Sequence, residues 1–155
     1  MNRIKSFTIN HNLLMPGFYI SREDGDVITY DLRTRKPNAG DYMDNATMHS
    51  LEHMFATYIR NSRMGNEVVY FGPMGCRTGF YLILAGDYKS EDIVDLMISM
   101  FEFIRHYHDP IPGANPRECG NYQDMNLNMA NYLAEKFLKE VLYNIGEDRL
   151  NYPEG

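Results

Sequence analysis

The residues whose types and spacing are best suited to chemistry lie in the segment His49-Ser50-Leu51-Glu52-His53. Each residue of an α-helix turns by about 100°, so His49 and His53 would lie about 40° apart on one face, one turn along the axis. Two imidazoles at that spacing can bind the same metal ion. Glu52 would lie about 60° from His49, so its carboxylate can reach a water or substrate at the metal without binding the ion. The alternative is a polar helix face that carries two histidines by chance.

Two histidines do not complete such a site, because catalytic zinc sites commonly have three protein ligands and one open position. Cys119 stands beside an irregular segment and just ahead of a predicted helix, and its thiolate would suit Zn²⁺ or Fe²⁺. A plain buried cysteine is an equally good interpretation of its local sequence. By residue type alone, other side chains also qualify as the third ligand: Cys76, His11, His106, His108 and the carboxylates.

Cys76 lies in segment 72–79, which contains three glycines and one proline. Such a composition indicates a backbone of special shape that a substrate can approach closely. Arg77 and a nearby metal would favour the thiolate of Cys76, which could then serve as an acid–base group. The alternative is a tight turn between strands with an incidental cysteine.

The composition of the chain restricts the function classes. It has 155 residues, of which 44% are hydrophobic and 23% charged, so we expect one globular domain spanning residues 1–155. The formal net charge of −6 gives no attraction to nucleic acid or to anionic membranes. Neither a signal peptide nor a membrane span is predicted, so we expect a cytoplasmic protein. The chain has only two cysteines, and in that compartment a structural disulfide is not expected.

Hydrophobic periodicity predicts the elements that position these residues. Strands are predicted at 5–9, 17–21, 27–32, 67–71 and 79–85, with 22–26 joining the first hairpin and a turn at 72–75. Helices are predicted from 44 or 45 to about 61–65, from a cap at Ser90, and from about 124 to 143. Segments 36–44 and 108–116 should be irregular because of their prolines and glycines. This order is typical of a two-layer α+β fold with a mostly antiparallel sheet and helices packed on one face.

The apolar stripe of the first helix centres well away from its histidines. It consists of Met48, Leu51, Phe55, Tyr58 and Ile59. The histidine face therefore need not point into the core beneath this helix. Either another part of the chain or a second chain must cover it.

Taken together, these motifs resemble the S-ribosylhomocysteine lyases, the LuxS family. The resemblance covers nearly the whole chain and runs through Ser6-Phe7 and His11, 31–33 with Pro37-Asn38, the His-x-x-Glu-His segment, 73–76 with 78–81, and 118–120. Each piece alone is weak, but all of them in this order and spacing are specific. Asn10, 34–36 and 70–72 depart from the residues usual in that family, and none is a ligand or acid–base position.

The resemblance implies a parts list for the site. The metal ligands would be His49, His53 and Cys119. The two acid–base residues would be Glu52 and Cys76. The substrate contacts would be Ser6, His11 and Arg33. It further implies one divalent metal per subunit, Fe²⁺ or Zn²⁺, and an α+β homodimer with both active sites at the subunit interface.

The activity implied by the resemblance is cleavage of the thioether of S-ribosylhomocysteine, through two carbonyl shifts via enediolates and a β-elimination. The products are homocysteine and 4,5-dihydroxy-2,3-pentanedione, the precursor of the quorum-sensing signal autoinducer-2, in a route of methyl-cycle salvage. Two other interpretations stay open. The His-x-x-Glu-His motif also occurs in metallopeptidases, and the chain could be a metal-binding domain without catalysis.

Overall fold

The expected α+β fold is present in the computed structural model, which describes residues 1–155. Four strands form one antiparallel sheet in the order β1-β2-β4-β3. The strands are β1 (Gly17–Asp24), β2 (Val27–Arg33), β3 (Val68–Pro73) and β4 (Gly79–Ala85), and the helices are α1 (Asn45–Arg60), α2 (Ser90–Arg105) and α3 (Leu127–Glu140). Short 3-10 turns occur at Lys5–Phe7, Gly65–Glu67, Leu142–Asn144 and Glu147–Arg149.

One face of the sheet forms the hydrophobic core together with the three helices. Alternate residues of a strand point to opposite faces, and in β2 the side chains of Tyr30 and Leu32 belong to a cluster of 28 buried residues that includes side chains of α1, α2 and α3. The residues that alternate with them, Asp31 and Arg33, therefore face the other side of the sheet, although both are almost fully buried. Charged side chains are buried on that second face and must find partners there.

The first helix forms as predicted and carries the histidines. It begins after Asp44, whose side chain accepts a hydrogen bond from the backbone N–H of Thr47 at 2.7 Å. Interactions with the side chain and the backbone N–H of Thr47 lower the pKa of Asp44. Leu51 and Phe55 from the predicted stripe are completely buried. Ser50, which was not predicted to be inside, is also fully buried, so the buried face extends towards the histidines.

The predicted strand at residues 5–9 is wrong. Residues Lys5–Phe7 form a 3-10 turn, closed by hydrogen bonds from Phe7 N to Ile4 O and from Thr8 N to Lys5 O, each 3.0 Å long. The hydroxyl of Thr8 also donates to Lys5 O at 2.6 Å. The alternation of polar and apolar residues was misleading because local side-chain and backbone hydrogen bonds replace pairing with another strand.

Two predicted connections have different boundaries. The hairpin turn between β1 and β2 contains only Gly25 and Asp26, because Asp24 pairs with Val27; Gly25 adopts a φ of +65° that favours glycine. The turn predicted at 72–75 instead occupies residues 74–78, since β3 continues to Pro73. A proline is tolerated there because β3 is an edge strand with no partner on its outer side.

Three element boundaries also differ from the prediction. Ser90 is the first residue of α2 rather than its cap, and Lys89 holds the cap position without a side-chain hydrogen bond. The last helix begins at Leu127, because the side chain of Asn126 accepts from Met129 N at 3.1 Å and so caps it there. It ends at Glu140 and not at 143.

None of the helices has the length and hydrophobicity that crossing a lipid bilayer requires.

Candidate functional site

The structure brings together His49 and His53 of α1 with Cys119 of the irregular segment before α3. Nε2 of His49 lies 3.4 Å from Sγ of Cys119, and the two imidazole centroids are 4.7 Å apart. One ligand atom from each of the three side chains lies within 4.8 Å of the other two. This is the one group of three histidines, cysteines or acidic residues in the chain with ligand atoms so close together.

Both imidazoles are oriented by backbone carbonyl groups. Nδ1 of His49 lies 3.0 Å from the oxygen of Asp124, and Nδ1 of His53 lies 2.8 Å from the oxygen of Pro112. A carbonyl oxygen can only accept, so each Nδ1 carries the proton and donates it. Neutral imidazoles in this tautomer present the lone pair of Nε2, which is how second hydrogen bonds commonly orient metal-binding histidines.

The segment that supplies these carbonyls is fastened to the histidine helix by Ser50. The hydroxyl oxygen of Ser50 accepts from the backbone N–H of Asn126 at 2.7 Å and donates to Ala46 O at 2.7 Å. The backbone N–H of Asn121 points at Sγ of Cys119 from 3.4 Å. Another part of the same chain thus covers some of the histidine face, while His53 still lines an open cleft.

This donor set fits a divalent metal of the zinc or ferrous type. Tetrahedral coordination at about 2.0–2.3 Å needs ligand atoms roughly 3.3–3.8 Å apart, close to the 3.4 Å between His49 and Cys119. Two imidazoles and one thiolate suit Zn²⁺ and Fe²⁺. The other third-ligand candidates, including Cys76, His11, His106 and His108, do not join the group.

Glu52 lines an open cleft beside this group. The cleft has a volume of about 550 Å³ and is also lined by His53, Gly113 and Glu118. Glu52 is half-buried and is not one of the three clustered ligands. Glu52 therefore lies at a cleft next to the three candidate ligands His49, His53 and Cys119 (the metal-ligand group), where a substrate could bind.

Cys76 lies at a different place, in the 74–78 turn between β3 and β4. Arg77 N donates to Met74 O at 3.0 Å, and Arg77 itself has a φ of +63°, a value that non-glycine residues rarely adopt. Cys76 is exposed and lines a cleft of about 420 Å³ together with His11. Both cysteines are free thiols, and neither is fully buried.

Arg33 connects the Cys76 turn to the buried second face of the sheet. Its Nη1 donates to Oγ1 of Thr78 at 2.8 Å and lies 3.9 Å from Sγ of Cys76. Thr78 Oγ1 is itself 3.0 Å from that sulfur. Burial acts to lower the pKa of Arg33, but the charge and hydrogen bonds of Asp31 outweigh burial and raise it. A permanent cation is therefore held against the thiol.

The family model for S-ribosylhomocysteinase (LuxS) matches residues 4–148. The chain belongs to this family. It is 54% identical to the S-ribosylhomocysteine lyase of Clostridium beijerinckii, over 99% of both chains. It is 55% identical to the S-ribosylhomocysteine lyase of Finegoldia magna, over 99% of this chain and 100% of that one. The S-ribosylhomocysteine lyase of Borreliella burgdorferi is 51% identical over the same shares.

The residues expected from the LuxS resemblance fall into separate places within one chain. His11 and Cys76 line one cleft, and Glu52 and His53 line another. Ser6, in the 3-10 turn Lys5–Phe7, lines a third cavity on the second face of the sheet. None of the five principal cavities contains both Cys76 and a member of the metal-ligand group.

Several residues that shape this candidate site were not predicted as site residues from the sequence. The carbonyls of Pro112 and Asp124 carry no side-chain signal, because any residue type can supply a backbone oxygen. Gly113 has a φ of +73°, and an added Cβ would lie 3.1 Å from Nδ1 of His53. Its neighbouring prolines marked the segment only as irregular. Thr78 was part of a motif, but no pattern revealed its contact with the thiol.

Proposed function

We propose that the chain acts, as one domain of residues 1–155, as a metal-dependent lyase that cleaves S-ribosylhomocysteine into homocysteine and 4,5-dihydroxy-2,3-pentanedione. Membership of the LuxS family and relatives named S-ribosylhomocysteine lyase support this proposal. The single observation that carries it is the clustering of His49, His53 and Cys119 beside the carboxylate of Glu52.

The chemistry of the substrate explains why such a set of residues is needed. A thioether bond does not break readily by direct attack. It breaks by β-elimination once a carbonyl at C3 of the sugar acidifies the C–H bond at C4, next to the carbon that bears sulfur. The sugar carbonyl begins at C1, so it must move to C2 and then to C3. Each shift removes a proton from one carbon and returns a proton to its neighbour.

Two acid–base side chains at opposite ends of the sugar can carry these protons. In our proposal Cys76 and Glu52 are that pair, and His49, His53 and Cys119 hold one divalent metal, Zn²⁺ or Fe²⁺. When bound, such a metal supplies a Lewis acid that polarises carbonyl oxygens. The cation of Arg33 beside Cys76 favours the thiolate and so prepares it to remove a proton.

We further propose that Ser6, His11 and Arg33 contact the substrate. The cleft shared by His11 and Cys76 supports this assignment, since a sugar whose proton is removed by Cys76 would lie within reach of that imidazole. Arg33 is almost fully buried, and only its Nη1 side approaches the cleft. Its contact with substrate would therefore be made through that one nitrogen.

A homodimer would bring the separated residues together. One chain would supply the metal-ligand group with Glu52, and its partner would supply Cys76 with His11, Ser6 and Arg33. The separation of Cys76 and the metal-ligand group between different clefts supports this arrangement. Exposed apolar side chains near the N-terminal substrate contacts support it as well, since large apolar residues at a surface favour association: Ile4, Phe7, Leu13 and Met15.

The activity is tested by incubating the purified protein with S-ribosylhomocysteine and measuring the released homocysteine thiol, with metal analysis of the same sample. We expect thiol release and close to one equivalent of Zn²⁺ or Fe²⁺ per chain. Absence of thiol release from the metal-loaded protein would contradict the proposal. Turnover of a peptide without turnover of S-ribosylhomocysteine would favour the metallopeptidase instead.

The shared site is tested by mixing two inactive variants, Cys76→Ala and Glu52→Gln, under conditions that exchange subunits. A mixed dimer would carry both lesions in one site and none in the other, so recovery to about a quarter of the parental rate is expected from random pairing in a symmetric dimer. If all residues of a site came from one chain, every site would keep a lesion and no activity would return. A stable monomer in sedimentation at micromolar concentration would also contradict the dimer.

A further inference from the structure

A series of polar contacts runs along the buried second face of the sheet and ends at Cys76. Asp31 is completely buried and accepts from Nε of Arg33 at 3.1 Å and from Nη2 at 2.6 Å. This bidentate pairing fixes the plane of the guanidinium. Only Nη1 remains, and it is directed at Thr78 and the thiol of Cys76.

A distant part of the chain completes this arrangement. The hydroxyl of Tyr152 donates to Oδ2 of Asp31 at 2.7 Å, the same oxygen that accepts from Nη2 of Arg33. Burial and the negative charge of Asp31 raise the pKa of Tyr152, so its hydroxyl stays protonated and remains a donor. The negative charge of Asp31 is thus stabilised by both Arg33 and Tyr152.

The position of Tyr152 is fixed by contacts with β1 and with Pro16, the residue that precedes that strand. Ile20 N donates to Leu150 O at 3.1 Å, and Arg149 Nη1 donates to Pro16 O at 2.8 Å. The ring of Tyr152 stacks on Tyr19 with centroids 5.1 Å apart. The hydroxyl therefore meets Asp31 in one defined orientation, without needing to be held by Asp31 itself.

We infer that Tyr152 is a positioning residue for the reaction, which acts through Asp31 and Arg33 to keep the thiol of Cys76 in its reactive form. This inference rests on the proposed function for the role of Cys76. The hydroxyl of Tyr152 offsets part of the negative charge of Asp31. Asp31 then cancels less of the positive electrostatic field that Arg33 exerts at Sγ of Cys76. Without that hydroxyl, the negative charge of Asp31 acts more strongly near Cys76 and disfavours the thiolate.

Other ionisable groups face this series of contacts and are not themselves altered by a substitution at Tyr152. They are Tyr19 from β1, Tyr81 from β4, Arg77 in the 74–78 turn, and His11 across the cleft. Burial raises the pKa of both Tyr19 and Tyr81, and the charge of Asp31 adds to this effect, so neither is charged near neutral pH. A change seen on altering only the hydroxyl of Tyr152 therefore reports on its bond to Asp31.

The test is the variant Tyr152→Phe, which keeps the ring stacked on Tyr19 and removes only the hydroxyl. Tyr143→Phe is the matched control, because the hydroxyl of Tyr143 donates to the exposed Glu102 at 2.8 Å, away from this network. The measurement is the rate of iodoacetamide alkylation of Cys76 against pH, with the modified cysteine identified by mass spectrometry. Turnover of S-ribosylhomocysteine is measured in parallel.

We expect the alkylation profile of Tyr152→Phe to move to higher pH by roughly half a unit, and kcat to fall about threefold with KM unchanged. The profile of Tyr143→Phe should coincide with that of the parent. If the profile of Tyr152→Phe coincides with the parent or moves to lower pH, the inference is wrong and Tyr152 only docks its segment. If the parent protein does not turn over S-ribosylhomocysteine, the proposed function fails, while the alkylation profiles still test the link between Tyr152 and Cys76.

Discussion

The metal-ligand group and the Cys76 turn are built by opposite means. His49 and His53 stand on a regular helix and are oriented by neutral backbone carbonyls. Cys76 stands on a short turn with a strained neighbour and is flanked by the buried Asp31–Arg33 ion pair. A backbone carbonyl at Nδ1 fixes the orientation of each imidazole and leaves Nε2 to face the metal position. A buried guanidinium fixes a positive charge beside Cys76, which suits the proton removal that we propose for this thiol.

The strongest test of this difference is Cys76→Ala. The turn contributes no ligand to the metal-ligand group, so metal content should stay at the parental value while turnover falls by about 10²–10⁴-fold, the range for loss of an acid–base group. Metal analysis and the homocysteine assay on one sample give both readings. Parental turnover in this variant would remove Cys76 from the mechanism.

The reverse pattern is expected for Cys119→Ala. This variant loses one of three clustered ligands, so bound metal should fall well below one equivalent and turnover should fall with it. When both proteins are freed of metal, the pH profile of Cys76 alkylation should be the same in the parent and in this variant. Unchanged metal content after dialysis would show that Cys119 is not a ligand.

A smaller effect is expected from Gly113→Ala, which tests whether the loop carbonyls orient the imidazoles. The new Cβ would lie 3.1 Å from Nδ1 of His53, and the φ of +73° would be strained for alanine. The hydrogen bond from His53 to Pro112 should be disturbed, and metal affinity should fall by about tenfold, as for other residues that orient ligands. Gly120→Ala is the control, because its Cβ would meet nothing within 4 Å. Equal metal affinities in the two variants would contradict this role.

The smallest effect is expected at Asp44, where the two regions meet. Asp44 caps the histidine helix, and the preceding residue, Met43, donates its N–H to Arg77 O in the Cys76 turn at 3.0 Å. Asp44→Ala should lower the free energy of unfolding by about 0.5–1 kcal/mol at neutral pH, a reduced value because the side chain is exposed.

The pH dependence of this loss of stability follows from the direction in which the pKa of Asp44 is shifted. Hydrogen bonds from Thr47 lower the pKa of folded Asp44 below its unfolded value, so the stabilisation is present above the unfolded value and disappears as pH falls through the folded one. Urea unfolding of parent and variant at neutral and acidic pH measures this. A difference between the proteins that stays constant across that range would argue against a cap by the charged carboxylate.

Much of the fold was predictable because its signals are local. Asp44 as a cap and the apolar spacing around Leu51 are enough to define α1, and the histidines follow from its pitch. The pairing of β1 with β2 follows from the Asp-Gly sequence between two apolar runs. Residues 5–9 were mispredicted, because whether a segment of alternating residues becomes a strand depends on a partner strand that local sequence does not reveal.

The candidate site was predictable only where side-chain type carries the chemistry. The residue types and spacing of His49, Glu52 and His53 determined by themselves that a metal could bind this helix, because helical pitch alone places the imidazoles together. The family resemblance implied Cys119 as the third ligand, and the tertiary structure is what places its sulfur 3.4 Å from Nε2 of His49. Only the tertiary structure decided that the Pro112 and Asp124 carbonyls orient the imidazoles and that Tyr152 reaches Asp31. These contacts join residues far apart in the chain, and a backbone oxygen or a single hydroxyl leaves no pattern in the sequence. Distance in space is fixed by packing, which local propensities do not encode.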